Sequence, residues 1–257
     1  MNILNLLLMI FLGVSTALAS ETLGNIEGEV RLEGELPKGN TPTIVEYQGP
    51  CGAKKSVNVV RLWKKRVMDV TLWLTSESAK NEQVTEEDTT VTGYKCEFWP
   101  KMTVIHPGAK IKIENKDPHT QWLVIENGGK KEQIMQEADK EPVEKEIADS
   151  KIHLSSGFYP WMEAWVKPVA DLATYTETEW DGRFFFKNIP PGEYILHSWH
   201  PVLGEIEQNL TVEADKELNI DVTYPPLDEK VQVIIEATML EKIMGRDGEE
   251  NDNPFKK

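Results

Sequence analysis

The sequence predicts an all-β protein, and three observations carry that expectation. Apolar and polar residues alternate with a period of two along many short segments. Clusters of Gly, Pro, Asn and Asp separate those segments. Sustained apolar spacing of the helical kind is confined to a stretch near the C-terminus. The composition, 40% apolar and 28% charged over 257 residues, is that of a chain that buries cores.

The first segment is not part of that fold. Met1 to Ser20 contain no charged side chain; the apolar run Leu6 to Leu12 leads to small residues ending Ala17-Leu18-Ala19. This is the h-region and cleavage pattern of a signal peptide, although the n-region lacks Lys and Arg. A membrane span needs about 20 consecutive apolar residues, and Asn2, Asn5 and Ser15 interrupt this one. Residues 1–19 are therefore expected to be removed on export to the periplasm or beyond, leaving no integral membrane segment. The net charge of −15 argues against nucleic acid as a partner, since Lys54-Lys55 and Lys64-Lys65-Arg66 are too short to offset it. Two cysteines, Cys51 and Cys96, in an exported chain suggest one disulfide; two buried thiols are the alternative. Closing that loop would stabilise the fold by roughly 4 kcal/mol in the chain-entropy picture.

Along the chain, Ile26–Leu32, Val57–Trp63 and Val70–Leu74 read as half-buried strands, parted by turns at Leu36–Asn40 and Gln48–Gly52. Ser76–Thr90 is acidic and aperiodic, a surface loop. Met102–Ile105, His106-Pro107-Gly108 and Lys110–Glu114 give strand, turn, strand, and Trp122–Ile125 is a further strand stopped by Asn127-Gly128-Gly129. Lys130–Lys151 is rich in Lys and Glu and reads as a short surface helix or a mobile flap. Asp181-Gly182 and Pro190-Pro191-Gly192 bracket Phe184–Ile189 and precede the Tyr194 strand, which implies two adjacent strands. Ile206–Val212 and Leu218–Val222 close a small sandwich. From Asp228 to Met244, Val231, Ile234, Ile235, Thr238, Met239 and Ile243 recur at helical spacing, with Asp228 as N-cap and Gly245 as stop. That helix is expected to pack on its own protein, and the tail from Arg246 to Lys257 to be disordered.

The run Cys96-Glu97-Phe98-Trp99-Pro100, then Pro107-Gly108, Ile111 to Asp117 and Ser156-Gly157-Phe158-Tyr159-Pro160-Trp161-Met162, resembles the cupredoxin pattern. The chain is most similar to exported bacterial proteins labelled methylamine-utilisation or plastocyanin-like, in which a cupredoxin is coupled to a small transthyretin-like or carboxypeptidase-regulatory, carbohydrate-binding-like sandwich. Thr178, Asp181-Gly182-Arg183-Phe184, Asn188 to Tyr194, Trp199-His200 and Leu203-Gly204 carry the second resemblance. It implies a cupredoxin-like Greek-key sandwich over residues 90–167 and a second sandwich built from 22–89 and 168–226, the two either nested, with the cupredoxin inserted, or sequential, followed by a helix and tail over 227–257.

A blue-copper centre needs a thiolate and two imidazoles, with a weak axial thioether. In the family the loop reads Cys-x-x-His-x-x-Met; here the positions are Ser156, Tyr159 and Met162. The other imidazole follows Asn-x-Asp-x-x-x-His in the family, and from Asn115 and Asp117 that spacing lands on Gln121. The resemblance thus implies a degenerate site at Gln121, Ser156 and Tyr159, and no cofactor is expected. A residual site for copper or another soft metal would use His119 and Met162, with His153 as a further ligand. The plainer readings are an exposed loop histidine and a core thioether. Trp161 and Trp165 are expected to fill the sandwich mouth, and His200, followed by Pro201 where relatives carry Glu, to be a structural histidine.

H-E-x-x-H, G-x-S-x-G and phosphate-cradling glycine loops are absent from the sequence. The expectation is a non-catalytic envelope protein that binds another protein or a glycan. A copper-handling or redox protein with an altered site is one alternative. A carbohydrate-binding module using surface tryptophans such as Trp180 and Trp199 is another.

Overall fold

The computed structural model describes residues 22–40, 42–46, 52, 54–76, 89–147 and 150–244. The expected signal peptide over residues 1–19, Cys51, most of the expected Ser76–Thr90 loop, Gly245 and the tail lie outside the described residues.

The elements in chain order are β1 (Gly24–Leu32), β2 (Thr43–Glu46), β3 (Lys54–Val57), β4 (Leu62–Trp63), β5 (Arg66–Val67) and β6 (Thr71–Thr75). They continue with β7 (Thr89–Tyr94), β8 (Glu97–Trp99), β9 (Met102–Ile105), β10 (Lys110–Asn115) and β11 (Gln121–Asn127). Then come β12 (Lys130–Gln136), β13 (Val143–Glu146), β14 (Ile152–Ser156), β15 (Glu163–Pro168) and β16 (Leu172–Glu177). The last are β17 (Arg183–Ile189), β18 (Gly192–His200), β19 (Gly204–Val212), β20 (Glu217–Asn219), β21 (Val222–Tyr224) and the helix α1 (Glu229–Met244).

Four sheets build the two sandwiches, and β2 and β3 pair separately. In the first sheet, β1 lies between β17 and β5, with β4 beyond, and pairs in parallel with β20 and β21. The second runs β16-β6-β18-β19. Ile26, Val30, Leu72, Leu74, Phe184, Phe186, Leu196 and Val222 form the core between these two. The third sheet runs β12-β11-β14-β15-β9 and the fourth β13-β10-β7-β8, enclosing Val91, Phe98, Ile111, Ile113, Leu123, Leu154 and Val166. Parallel pairing of β7 with β10 and of β9 with β15 gives this pair of sheets its Greek-key, cupredoxin-like topology. Strands from both ends of the chain thus build one sandwich around residues 89–168, whose strands pair only among themselves within the described residues.

A third core joins the two sandwiches. Trp73, Met102, Val104, Leu172 and Trp199 are buried there, with Trp165 packed against them. This explains why Thr71, Leu72, Trp73 and Leu74 are all buried: β6 is covered on both faces. Trp165 accordingly lies at this junction and not in the sandwich mouth, and Trp199, 4% exposed, is no surface tryptophan. Beside the core a cavity of ≈ 90 Å³ is lined by charged groups, among them Arg61, Asp69, Glu97, Lys101 and Glu163. Arg61 forks Asp69 through Nε and Nη2, and Glu97 sits between Lys55 and Lys101. His200 is buried there, its Nδ1 accepting from the Val202 and Leu203 amides at 3.2 and 3.3 Å. Burial holds its pKa down to about 4 although Asp69 and Glu163 favour the charged form, so the ring is neutral at pH 7.

Three expectations need correction. Val57–Trp63 is not one strand: the chain leaves β3 after Val57, and Asn40 ties down the bend by accepting from the Val59 and Val60 amides and donating to the Val60 carbonyl. Lys130–Lys151 holds β12 and β13, not a helix, because β12 forms a hairpin with β11 and β13 pairs with β10. Their Lys and Glu side chains suit strands at the edges of the third and fourth sheets. The strands flanking Asp181-Gly182 and Pro190-Pro191 are not hairpin neighbours, since β17 pairs with β1 while β16 and β18 pair with β6. Both turns carry the chain from one sheet to the other.

Candidate functional site

The loop that resembles a copper-ligand loop closes one end of the inserted sandwich. Asn115, at the end of β10, donates from Nδ2 to the carbonyls of His119 and Gln136, each at 2.9 Å, and its Oδ1 accepts from the Asp117 amide at 3.1 Å. The Asp117 carboxylate accepts from the Lys95 and Cys96 amides at 2.5 and 3.0 Å. Those two residues adopt left-handed φ values of 55° and 53°. Such backbone is costly without glycine, and charge-assisted bonds of this kind offset the cost. The Asn-x-Asp pattern is therefore a brace between the β7–β8 turn and the start of β11.

Opposite this brace, Ser156 Oγ accepts from the Phe158 and Tyr159 amides at 3.1 and 3.2 Å. The Ser156 amide donates to the Met162 carbonyl, and the Met162 amide to that of Tyr159. Gly157 donates to the Trp122 carbonyl at 2.8 Å, and an added Cβ there would lie 2.2 Å from the Trp122 ring. Gln121 and Met162 meet inside: Gln121 Nε2 lies 3.1 Å from Met162 Sδ, both residues being about 1% exposed. Gly93 leaves room for them, as an added Cβ would stand 2.9 Å from Gln121 Oε1 and 3.2 Å from Met162 Cε. Gln121 Oε1 itself is buried and accepts no hydrogen bond.

The structure thus gathers Gln121, Ser156, Tyr159 and Met162 around one loop, and brings His119 to its side. His119 Nε2 is 3.4 Å from Tyr159 Oη and 3.9 Å from Cys96 Sγ. Met162 Sδ in turn meets Gln121 Nε2 at 3.1 Å. His153 does not join them. Ile152 and Leu154 point into the inserted core, so His153 points out of it, stacked on Trp165 at 4.0 Å between Glu126 and Glu163.

Copper can be tested against this donor set. Type 1 copper takes a thiolate and two imidazoles; the loop interior offers an amide, a hydroxyl, a phenol and a thioether. The residues do not fit that centre. Cys96, Asp117 and His119 place one donor atom each within 4.8 Å of one another. Cys96, however, is not a free cysteine, and both Asp117 oxygens already accept backbone amides. A cysteine without a thiolate is a poor metal ligand.

Two further features went unread in the sequence. Trp63 and Trp180, 43% and 67% exposed, meet edge to face with centroids 5.7 Å apart. Only folding brings them together, because the β4–β5 turn and the β16–β17 turn are far apart in the chain. Lys242 of α1 is buried and pairs with Glu163 of β15. Burial pushes Glu163 up, but Lys242 and His153 outweigh it and hold the carboxyl at about 2.

No family model matches the chain, and no curated protein does. Among solved structures it is similar to a reduced-state amicyanin mutant: 14% identity, TM-score 0.30, 38% of this chain and 99% of that one. A purple cupredoxin from Nitrosopumilus maritimus matches at 14% identity and TM-score 0.28, over 32% of this chain and 100% of that one. A copper-containing nitrite reductase from Thermus scotoductus SA-01 matches at 14% identity and TM-score 0.29, over 35% of this chain. The chain spans about a quarter of that reductase, 26% of its length.

Proposed function

We propose that the protein is a non-catalytic exported binding module whose cupredoxin-like half is a scaffold without a type 1 copper centre. The observation that supports it most is the direct Gln121–Met162 contact at 3.1 Å, which occupies the loop interior with an amide and a thioether. Its partner is an envelope protein or a glycan. The Cys51–Cys96 disulfide is part of this reading, since an oxidising compartment favours it.

Titrating the metal-stripped full chain with Cu(II) and recording its visible spectrum tests the proposal. A colourless protein is expected. One tightly bound copper per chain, lost in His119→Ala, would replace it with a copper-handling role.

The exposed Trp63–Trp180 pair favours one second reading, a glycan platform, because sugars stack on accessible indole faces. Glycan binding abolished by Trp180→Ala would support it. Equal binding by the variant would remove it.

A further inference from the structure

A second group of donors lies outside the loop, on the sheet β16-β6-β18-β19. His197 of β18 is directly opposite Glu207 of β19, and Glu205, two residues before Glu207, projects on the same face. His197 Nδ1 is 3.3 Å from Glu205 Oε1 and 3.4 Å from Glu207 Oε1, and the three donors lie within 4.8 Å of one another.

The imidazole is fixed from its other sides. Nε2 lies 3.0 Å from Thr75 Oγ1, and the ring stacks on Trp73 with centroids 4.9 Å apart and planes parallel. Nδ1 is shielded from solvent and faces the two carboxylates. In the tautomer that donates Nε2–H to Thr75, the Nδ1 lone pair faces two carboxylate oxygens, an arrangement that a cation would join; in the other tautomer Thr75 donates to Nε2 and Nδ1–H points at the carboxylates. Lys167 engages only Oε2 of Glu205, which leaves Oε1 turned toward His197. Three donors each ~2.1 Å from a tetrahedral ion stand ~3.4 Å apart, which is the spacing between His197 Nδ1 and each carboxylate.

We propose that His197, Glu205 and Glu207 form a binding site for a divalent ion of the zinc class, with a further coordination position open to water. The competing occupant is a proton on Nδ1, donated to the carboxylates by an imidazole whose Nε2 accepts from the Thr75 hydroxyl.

Isothermal titration of the metal-stripped full chain with zinc chloride separates the two. One zinc per chain is expected, with affinity reduced at least tenfold in Glu207→Gln and in His197→Gln and unchanged in His119→Ala. Glu207 is largely solvent-exposed, so its variant keeps the test valid if His197→Gln does not fold. Absence of zinc binding, or unchanged affinity in Glu207→Gln, overturns the proposal. Loss of zinc in His119→Ala alone would move the metal to the loop end and overturn it too. A zinc ion here gives no colour, so neither result bears on the copper test above.

Discussion

Gln121 shows how one side chain can fill the interior of a loop. Its amide reaches Met162 Sδ, while the Ser156 hydroxyl orders the loop by accepting from the Phe158 and Tyr159 amides. Restoring the donors should restore the chemistry: Gln121→His, Ser156→Cys and Tyr159→His together are expected to yield a coloured Cu(II)–thiolate protein. A colourless triple variant would refute the proposed correspondence of positions. The loop also depends on a close backbone approach. Gly157→Ala should destabilise the fold by about 1–3 kcal/mol, measured by denaturant unfolding, because its Cβ meets the Trp122 ring rather than a flexible chain end. That Ser156, Tyr159 and Met162 share one loop was legible because their spacing is local. Gly93 was not, since its need to be small arises only when Gln121 and Met162 arrive from other strands.

Helix α1 is the element whose limits the sequence predicted well. Asp228 Oδ1 accepts from the Val231 amide at 2.8 Å, the N-cap expected from the residue type. Ile235 and Met239 are buried on its inner face, whereas Ile234, assigned to the same face by spacing, is 41% exposed. Asp228→Ala should cost about 1 kcal/mol, seen as faster amide exchange in the first turn of α1; unchanged exchange would show that the Lys242–Glu163 pair and the apolar face alone hold the helix. Strand composition was less legible. β12 is dominated by Lys, Glu and Gln, the polarity of an edge strand, and composition alone does not separate that from a charged surface helix. The pairing of β17 with β1 was hidden because its register is set by residues more than a hundred positions away.

Across the whole molecule, charge is concentrated at the junction of the sandwiches, and pH should act there. Burial, with Asp69 nearby, raises Glu177 to about 7. A carboxyl raised in the fold contributes stability that is fully present below its unfolded value of 4.5 and lost as pH rises through about 7. Glu177→Gln should therefore be more stable than the parent at pH 8, by on the order of 1 kcal/mol, and indistinguishable near pH 4. An equal difference at both values would exclude titration as the cause. His200 acts in the opposite sense: its lowered pKa gives stability present above 6.5 and lost as pH falls through about 4. Glu163, held at about 2, adds a loss below 4.5. In Glu177→Gln the loss between 4.5 and 7 is removed, so stability is expected to rise with pH from about 4 to 6.5 through His200, and the loss below 4.5 to survive.

The central place of β1 also sets an order in time. Gly24–Leu32 is made before the other described strands, yet its partners β17, β20 and β21 lie beyond residue 180, so during synthesis β1 waits until they emerge. Residues 89–168 contain all partners of their own strands and can close first. A chain cut after Pro168 should consequently retain a cooperative inner sandwich by circular dichroism, with the surrounding one unformed. The protein would then mature from the inside outward, β17, β20 and β21 completing what β1 began.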